Sequence, residues 1–355
     1  MAGESFEFRS RTEAAVFSDP TSLRYLTGLR LTAGTALISP RHRILYVDGR
    51  YLFKARRMLG RPWRVCPMRS DLSDLFRDFK KIGLEKICVD TQSLSAAQYK
   101  RWLAAGNGVE IVDAEGLADR VRAVKRPGEL KILREAVRLT DELWSRLRTN
   151  LRIGMTEREL LVWIKSEALR LGADEMSFEP IVVSGPSTAE PHAEASDKKI
   201  SGDEPLMVDM GIRLAGYCSD FTRTPYLLRR RGAPPDWFVK FRNEVLAIQS
   251  LAYRLISRGV RSPKHITKEI SKRLGRSHLA PHYLHSLGHG VGMKIHEEPF
   301  LSDRGCDLKD GMVFTVEPGL YRAGYGGVRI EDMACLWNGR LDVMTRSSKE
   351  LVWRV

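Results

Sequence analysis

A chain of 355 residues is long for one hydrophobic core and suits two domains or one large one. Its 43% hydrophobic content is that of an ordinary globular protein and allows a sizeable buried core, and no apolar run approaches the length needed to span a bilayer. The net charge of +14 (58 basic, 44 acidic) is spread over short clusters such as Arg229-Arg230-Arg231 rather than a helix-long stripe, so a solvated basic surface is expected, with nucleic-acid binding a secondary possibility.

The start, MAGESFEFRSRTE, lacks the basic-then-apolar layout of a secretory signal, which points to the cytoplasm. The five cysteines (Cys66, Cys88, Cys218, Cys306, Cys335) form no C-x-x-C pair, which argues against a disulfide frame or a zinc ribbon. Short strand-like runs then alternate with helical ones. Residues 14–17 read as a strand, 21–27 as a helix or turn closed by Gly28, and 35–38 with 44–47 as paired strands. After the turn Asp48-Gly49-Arg50 come a helix over 51–59, a strand over 63–66, a helix over 71–81, a strand over 87–89 and a helix over 94–105. The loop Gly106-Asn107-Gly108 leads to a strand over 109–112. This alternation predicts an α/β amino-terminal domain over 1–118, without a cluster of potential ligands.

A boundary within 116–126 is punctuated by Lys125-Arg126-Pro127-Gly128, and a second domain follows over 119–355. A helix over 129–147 carries Leu130, Ile132, Leu133, Ala136 and Leu139 on one stripe. Thr156-Glu157-Arg158-Glu159 has capping-box spacing and opens a helix to about 171, closed by Gly172. A strand over 178–184 leads into a polar loop holding His192. Pro234-Pro235 introduces a helix to about 256 and Pro263 another to about 274; from His282 onward, strands and glycine-rich turns are expected. Helices and strands thus group separately, which predicts an α+β layer arrangement with helices backing a curved antiparallel sheet.

The chemistry is concentrated in three stretches. In 206–226, LMVDMGIRLAGYCSDFTRTPY, the residues Leu206, Val208, Met210 and Ile212 alternate with Met207, Asp209 and Gly211, so Asp209 lies off the apolar face. If the hairpin folds about Leu214–Ala215, Asp209 stands directly opposite Asp220 with Cβ atoms about 5 Å apart. Two half-buried carboxylates so placed require a proton or a cation between them. Cys218 shares a strand face with Asp220 and reads as a small buried filler. In 282–299, HYLHSLGHGVGMKIHEEP, Gly288, Gly290 and Gly292 disfavour a helix, so in an extended chain His285, Leu287 and His289 share one face. In 312–332, MVFTVEPGLYRAGYGGVRIED, Glu317 ends a strand over 313–316 and Glu331 follows one over 327–330, with a glycine-rich loop that permits a hairpin. Oxygen-rich ligation favours hard divalent ions, Mn²⁺ first, with Co²⁺ or Zn²⁺ able to substitute. Four acids match two such ions better than one, and a two-metal site makes hydroxide from a bridging water and polarises a carbonyl. Hydrolysis is the expected chemistry.

The succession D-x-G, G-Y-x-S-D-x-T-R-T, H-x-x-G-H-G-x-G-x-x-x-H-E-x-P, T-V-E-P-G-x-Y and R-I-E-D resembles the pita-bread metallopeptidases, in particular their proline-specific branch of aminopeptidase P and prolidase. Tyr25-Leu26-Thr27-Gly28 and Asp48-Gly49-Arg50-Tyr51 resemble the creatinase-like amino-terminal domain of that branch. The resemblance implies a pita-bread catalytic domain with Asp209, Asp220, His289, Glu317 and Glu331 as metal ligands. Asp220 and Glu331 would bridge both ions, with Asp209 holding one, and His289 with Glu317 the other. Glu317 would also be the general base, His192 would lie near the scissile bond, His285 and His296 would line the substrate pocket and stabilise the tetrahedral intermediate, and Arg329 would be hydrogen-bonded into the site. It further implies a homodimer and small peptide substrates with proline at the second position. An Xaa-Pro aminopeptidase is the first reading and an Xaa-Pro dipeptidase (prolidase) the alternative. From another class, a non-enzymatic nucleic-acid- or protein-binding module on the same fold ranks behind both.

Overall fold

A computed structural model describes residues 6, 8, 10–68, 72–106, 108–229 and 232–355. Asp71, Asn107, Arg230 and Arg231, along with residues 1–5, 7 and 9 of the opening stretch, lie outside the described residues. The chain divides into two compact units, Met1–Arg122 and Ala123–Val355. Among the described residues no helix is long and apolar enough to cross a membrane, and all five cysteines are free thiols.

The first unit is a mixed sheet of β1 (Glu13–Phe17), β2 (Thr35–Ile38), β3 (Arg43–Val47), β4 (Trp63–Pro67), β5 (Lys86–Val89) and β6 (Glu110–Asp113), in the spatial order β4-β3-β2-β1-β5-β6. The β1–β2 and β2–β3 pairs are antiparallel; β3–β4, β1–β5 and β5–β6 are parallel. Helices α1 (Pro20–Thr27), α2 (Gly49–Met58), α3 (Leu72–Lys81), α4 (Ala96–Ala105) and α5 (Leu117–Ala123) connect or follow the strands. Local chemistry sets their ends. Asp19 accepts from the Ser22 N–H at the start of α1, and Gly28 closes it in the left-handed region. Ser95 and Gln98 form a capping box, so α4 begins at Ala96 rather than at 94. Where only a punctuated boundary is expected, the structure has α5. Both sheet faces are covered, one by a core with Phe17, Leu23, Leu45 and Ala55, the other by one with Val16, Phe76, Phe79, Ile87 and Trp102.

The second unit is α+β. It begins with α6 (Pro127–Asn150) and α7 (Glu157–Arg170), followed by β7 (Glu175–Met176), β8 (Ile181–Ser184), β9 (Glu204–Asp209), β10 (Ile212–Leu214), β11 (Tyr217–Cys218), β12 (Thr222–Arg223) and β13 (Tyr226–Leu228). Then come α8 (Asp236–Ser257), α9 (Pro263–Ser277), β14 (Val313–Val316), β15 (Gly319–Arg322), β16 (Gly326–Arg329), β17 (Asp332–Trp337), β18 (Arg340–Val343) and β19 (Val352–Arg354). The strands form short ladders rather than one continuous sheet. Helices α6 and α7 share a core with Val182, Leu206, Val208, Met210 and Ile212, while α8 and α9 share another with Phe314, Val316, Leu320, Val328 and Ile330. Each helix pair therefore backs its own set of strands.

Burying Leu206, Val208, Met210 and Ile212 contributes roughly 6–12 kcal/mol, and a one-residue slip would turn all four to the wrong face. The apolar stripe thereby forces Asp209 to the opposite side. The register itself differs from the expected one. Asp209 pairs with Thr222, not Asp220, and Leu214 pairs with Tyr217. The two turn residues are Ala215 (φ 49°) and Gly216 (φ 95°). A two-residue turn with positive φ at both positions matches the strand twist and favours glycine inside it, which moves the turn one position along from Leu214–Ala215. A second difference lies in the histidine segment, which is not a regular strand. Leu287 turns into the core of α8 and α9, whereas His285 and His289 line a cleft.

Candidate metal centre

Two hairpins deliver the acids. In the first, Asp209 ends β9 opposite Thr222, so Asp220, two residues earlier, is a diagonal neighbour on the same face. Close backbone approach holds this corner: a Cβ on Gly211 would lie 1.9 Å from the Ser219 carbonyl oxygen. In the second, β14 pairs with β17 (Val316↔Asp332) and β15 with β16 (Gly319↔Arg329). Continued across the gap between these ladders, the register sets Glu317 opposite Glu331. Both acids sit where the hairpin passes from one ladder to the next.

These side chains converge on one cleft of about 570 Å³, lined by Asp209, Asp220, His289, Glu317, Glu331 and Arg329, with His192, His285 and His296. All nine residues to which the resemblance gives a site role are thus brought to one place. The donor atoms of Asp220, His289 and Glu331 lie within 4.8 Å of one another. His289 Nε2 is 3.6 Å from Asp220 Oδ2 and 3.3 Å from Glu317 Oε1. Its Nδ1 is 3.1 Å from the Gly290 carbonyl oxygen, so Nδ1 carries the proton and Nε2 is left to face the acids.

Burial, then the charges of Glu331, Asp209 and Glu317, pushes the Asp220 carboxyl well above the usual carboxylate range. Burial and the charges of Glu317 and Asp209 do the same to Glu331. Asp209 is raised by burial against the pull of Arg329. Glu317 goes the other way. Burial would raise it, but the hydrogen bond and charge of His289, with His285 and Arg329 behind, hold it below the usual range. Burial opposes charge on His289, yet Glu317 lifts its pKa.

Arg329 ties the acids to the histidines. It donates from Nη2 to Asp209 Oδ2 (2.6 Å), from Nε to Thr222 Oγ1 (3.2 Å) and from Nη1 to the Tyr321 hydroxyl (2.8 Å). Thr222 Oγ1 in turn donates to Glu331 Oε2 at 2.7 Å. Having accepted from Arg329, the Tyr321 hydroxyl donates to His285 Nε2 at 2.8 Å, and burial pushes the phenol up to about 12, so it stays protonated. Tyr321, the last residue of T-V-E-P-G-x-Y, is a site residue to which the sequence reading gives no role. Its signal is the adjacent Gly319, where a Cβ would come 2.3 Å from the Tyr321 oxygen and 2.8 Å from His285 Nε2. His296 packs edge-on against His289 with ring centroids 4.2 Å apart. Its neighbour Glu297 is fully buried with Lys125, Nζ to Oε1 2.7 Å, a second pair with no local sequence signal. Cys218 is buried outside the cleft lining, and burial pushes its thiol up to about 11, consistent with a filler.

The arrangement fits divalent cations. Asp209 Oδ1 is buried without a hydrogen-bond partner among the described residues, which leaves a costly group unless a positive ligand meets it. Three of the four acids are raised by burial and mutual repulsion, and cations relieve both. Carboxylate oxygens with one imidazole nitrogen form a donor set for hard to borderline ions.

Residues 131–336 match the family model of metallopeptidase family M24, and residues 9–124 that of the creatinase/prolidase N-terminal domain. The chain is 32% identical to the uncharacterised peptidase YqhT of Bacillus subtilis, over 96% of this chain and 95% of that one. Among solved structures it resembles an Xaa-Pro dipeptidase from Bacillus anthracis (TM-score 0.88, 30% identity, 96% and 95% of the two chains). It also resembles an X-Pro aminopeptidase from Thermotoga maritima (TM-score 0.86, 26% identity, 97% and 98% covered).

Proposed function

Because the chain belongs to metallopeptidase family M24, in the aminopeptidase P and prolidase branch with a pita-bread catalytic domain, we propose that it is a dinuclear Xaa-Pro aminopeptidase. It would release an N-terminal residue that precedes proline. The observation that carries this reading is the convergence of Asp209, Asp220, His289, Glu317 and Glu331 beside His192, His285 and His296 in one cleft.

Those five residues would hold two divalent ions, Mn²⁺ by preference, with Asp220 and Glu331 shared; when bound, the ions supply an activated water and polarise the scissile carbonyl. Glu317, kept below the usual carboxylate range, is ionised at neutral pH and can take the proton of the attacking water on its carboxylate. Arg329 fixes Asp209 and, through Tyr321, the tautomer of His285. Proline has no N–H for an enzyme to read and a fixed φ; its nitrogen, like that of any amide, leaves only if protonated, a task that would fall to His192 at the cleft wall. A homodimer and a preference for proline belong to the same proposal.

Charge in the cleft favours the aminopeptidase over the dipeptidase. Among the described residues the arginines that line it are Arg158 and Arg329, engaged by Asp197 and Asp209 respectively. Burial lowers His285 and His296, the latter also beside His289. The Arg158–Asp197 pair is solvent-exposed and weak, so what a dipeptide's carboxylate lacks is a buried cation free of a carboxylate partner, Arg329 being held by Asp209; a longer peptide presents a neutral amide. Likeness to the B. anthracis dipeptidase supports the competing reading. Incubation of Mn²⁺-loaded protein with Gly-Pro and with an Xaa-Pro-Yaa peptide separates the two. Cleavage of the longer peptide alone is expected, cleavage of Gly-Pro alone reassigns the protein as a dipeptidase, and cleavage of neither ends the proposal.

A further inference from the structure

The loop over 185–195 forms part of the cleft wall, contributing Pro191, His192, Ala193, Glu194 and Ala195. Both its ends close on one side chain. Glu157, at the first position of α7, is 1% exposed. Its Oε1 accepts from the Ser184 N–H (2.7 Å) and hydroxyl (2.8 Å), and its Oε2 from the Ser196 N–H (3.1 Å) and hydroxyl (2.6 Å). Ser184 ends the strand before the loop and Ser196 follows it, so a single carboxylate joins entry to exit.

Helix capping does not need this residue. Thr156 and Glu159 already form the reciprocal box at the start of α7. A carboxylate is retained at such depth only with its oxygens satisfied, and here all four donors come from the two loop ends. Lys198 reinforces the entry side, donating from Nζ to Ser184 Oγ at 2.7 Å and to Glu204 Oε1 at 2.7 Å. Two further ties hold the middle: Gly327 N–H to Thr188 Oγ1 (2.9 Å) and Arg329 Nη1 to the Pro191 carbonyl (3.3 Å). The second tie lies next to His192. Backbone bonds anchor each end separately, Ser184 in the β8–β9 ladder and the Ser196 carbonyl on the Arg158 N–H (3.0 Å); the carboxylate joins the two ends, and with them joined the Pro191 tie sets where His192 meets the cleft.

We propose that Glu157 is a positioning residue for His192, acting through the two serines that close the loop. The inference rests on the peptidase reading of the cleft. An acceptor is required on both oxygens, because the Ser184 and Ser196 N–H groups can only donate. Glutamine keeps the shape but turns an NH₂ donor toward one serine's N–H and hydroxyl, so it breaks one end of the clamp.

The test is a double-mutant cycle on an Xaa-Pro-Yaa peptide, using Mn²⁺-loaded wild type, Glu157→Gln, His192→Ala and the double variant, with hydrogen exchange measured on each. Glu157→Gln should lower kcat at least tenfold with KM changed less than threefold and bound metal unchanged. The double variant should be no slower than His192→Ala alone. Amides of 185–195 should exchange faster in Glu157→Gln, whether or not any peptide is cleaved. Ser196→Ala, which removes one hydroxyl, gives a milder case should the glutamine variant fold poorly, with a two- to fivefold loss and the same non-additivity. Additive losses in the double variant, unchanged exchange in the loop, or a loss of activity that tracks a loss of metal would overturn the proposal. Faster loop exchange in a protein that cleaves neither peptide would overturn the peptidase reading and leave the clamp standing.

Discussion

Asparagine in place of Asp220 should move stability and metal content in opposite directions. Its carboxylate lies within 4.8 Å of that of Glu331, and two unit charges at that separation repel by about 3.5 kcal/mol at an effective dielectric of about 20. Metal-free protein already relieves part of this, because burial and neighbouring charges hold both groups protonated above the usual range. The remaining gain from asparagine is about 1–3 kcal/mol and depends on pH. A carboxyl whose folded pKa is raised contributes stability below its unfolded value of about 4 and loses it as pH rises through the folded value. Chelated wild type should therefore weaken as pH climbs from about 4, and chelated Asp220→Asn should weaken less. Urea unfolding of both proteins in chelator, at about pH 5 and about pH 8, reads the difference, and elemental analysis after Mn²⁺ loading reads the metal. A chelated variant less stable than wild type at the higher pH, or one that keeps both ions, refutes the reasoning.

Other outcomes follow from single contacts. His192→Ala should lower turnover while metal content by elemental analysis stays at the wild-type level; loss of metal would contradict its role as a residue that meets the substrate and does not ligate the ions. Arg329→Lys cannot serve Asp209, Tyr321, Thr222 and the Pro191 carbonyl together. Steady-state kinetics should show kcat/KM reduced at least tenfold, roughly 1.4 kcal/mol of transition-state stabilisation, and wild-type kinetics would show those bonds to be idle. Lys125→Met removes the ammonium that faces the buried Glu297 carboxylate and should cost about 3–5 kcal/mol in urea unfolding; a cost under about 1 kcal/mol would mean that water or the remaining partners of Glu297 compensate for its loss.

Acids in β-branched apolar sequence and histidines in a glycine-rich stretch made Asp209, Asp220, Glu317, Glu331, His285, His289 and His296 legible in the sequence, because burying charge is expensive enough to leave a mark on it; His192 and Arg329 came only from the family resemblance. The order of strands and helices was legible for the same reason, through the apolar alternation on β9 and the stripe on α6. The turn was not. Leu214–Ala215 and Ala215–Gly216 both lie in a polar, small-residue stretch, and only the need for positive φ at both turn positions decides between them. Lys125 and Glu157 were missed because their partners are distant in sequence, so no local pattern distinguishes them from a surface lysine or a first-turn acid; Tyr321 stands in the T-V-E-P-G-x-Y run, but its bonds to Arg329 and His285 arise only when the β15–β16 hairpin meets the histidine segment.

The pairing of each acid with its neighbour along one hairpin also limits how the gene can drift. An inserted or deleted codon inside a strand, between either acid of a hairpin and its turn, would reverse which way that carboxylate points. Length changes at the turn tips, 215–216 and 323–325, can be absorbed, but length changes within the paired strands cannot. Lineages descended from this protein should therefore carry their gaps in loops and at turn tips, and keep the number of paired residues between each acid and its turn constant.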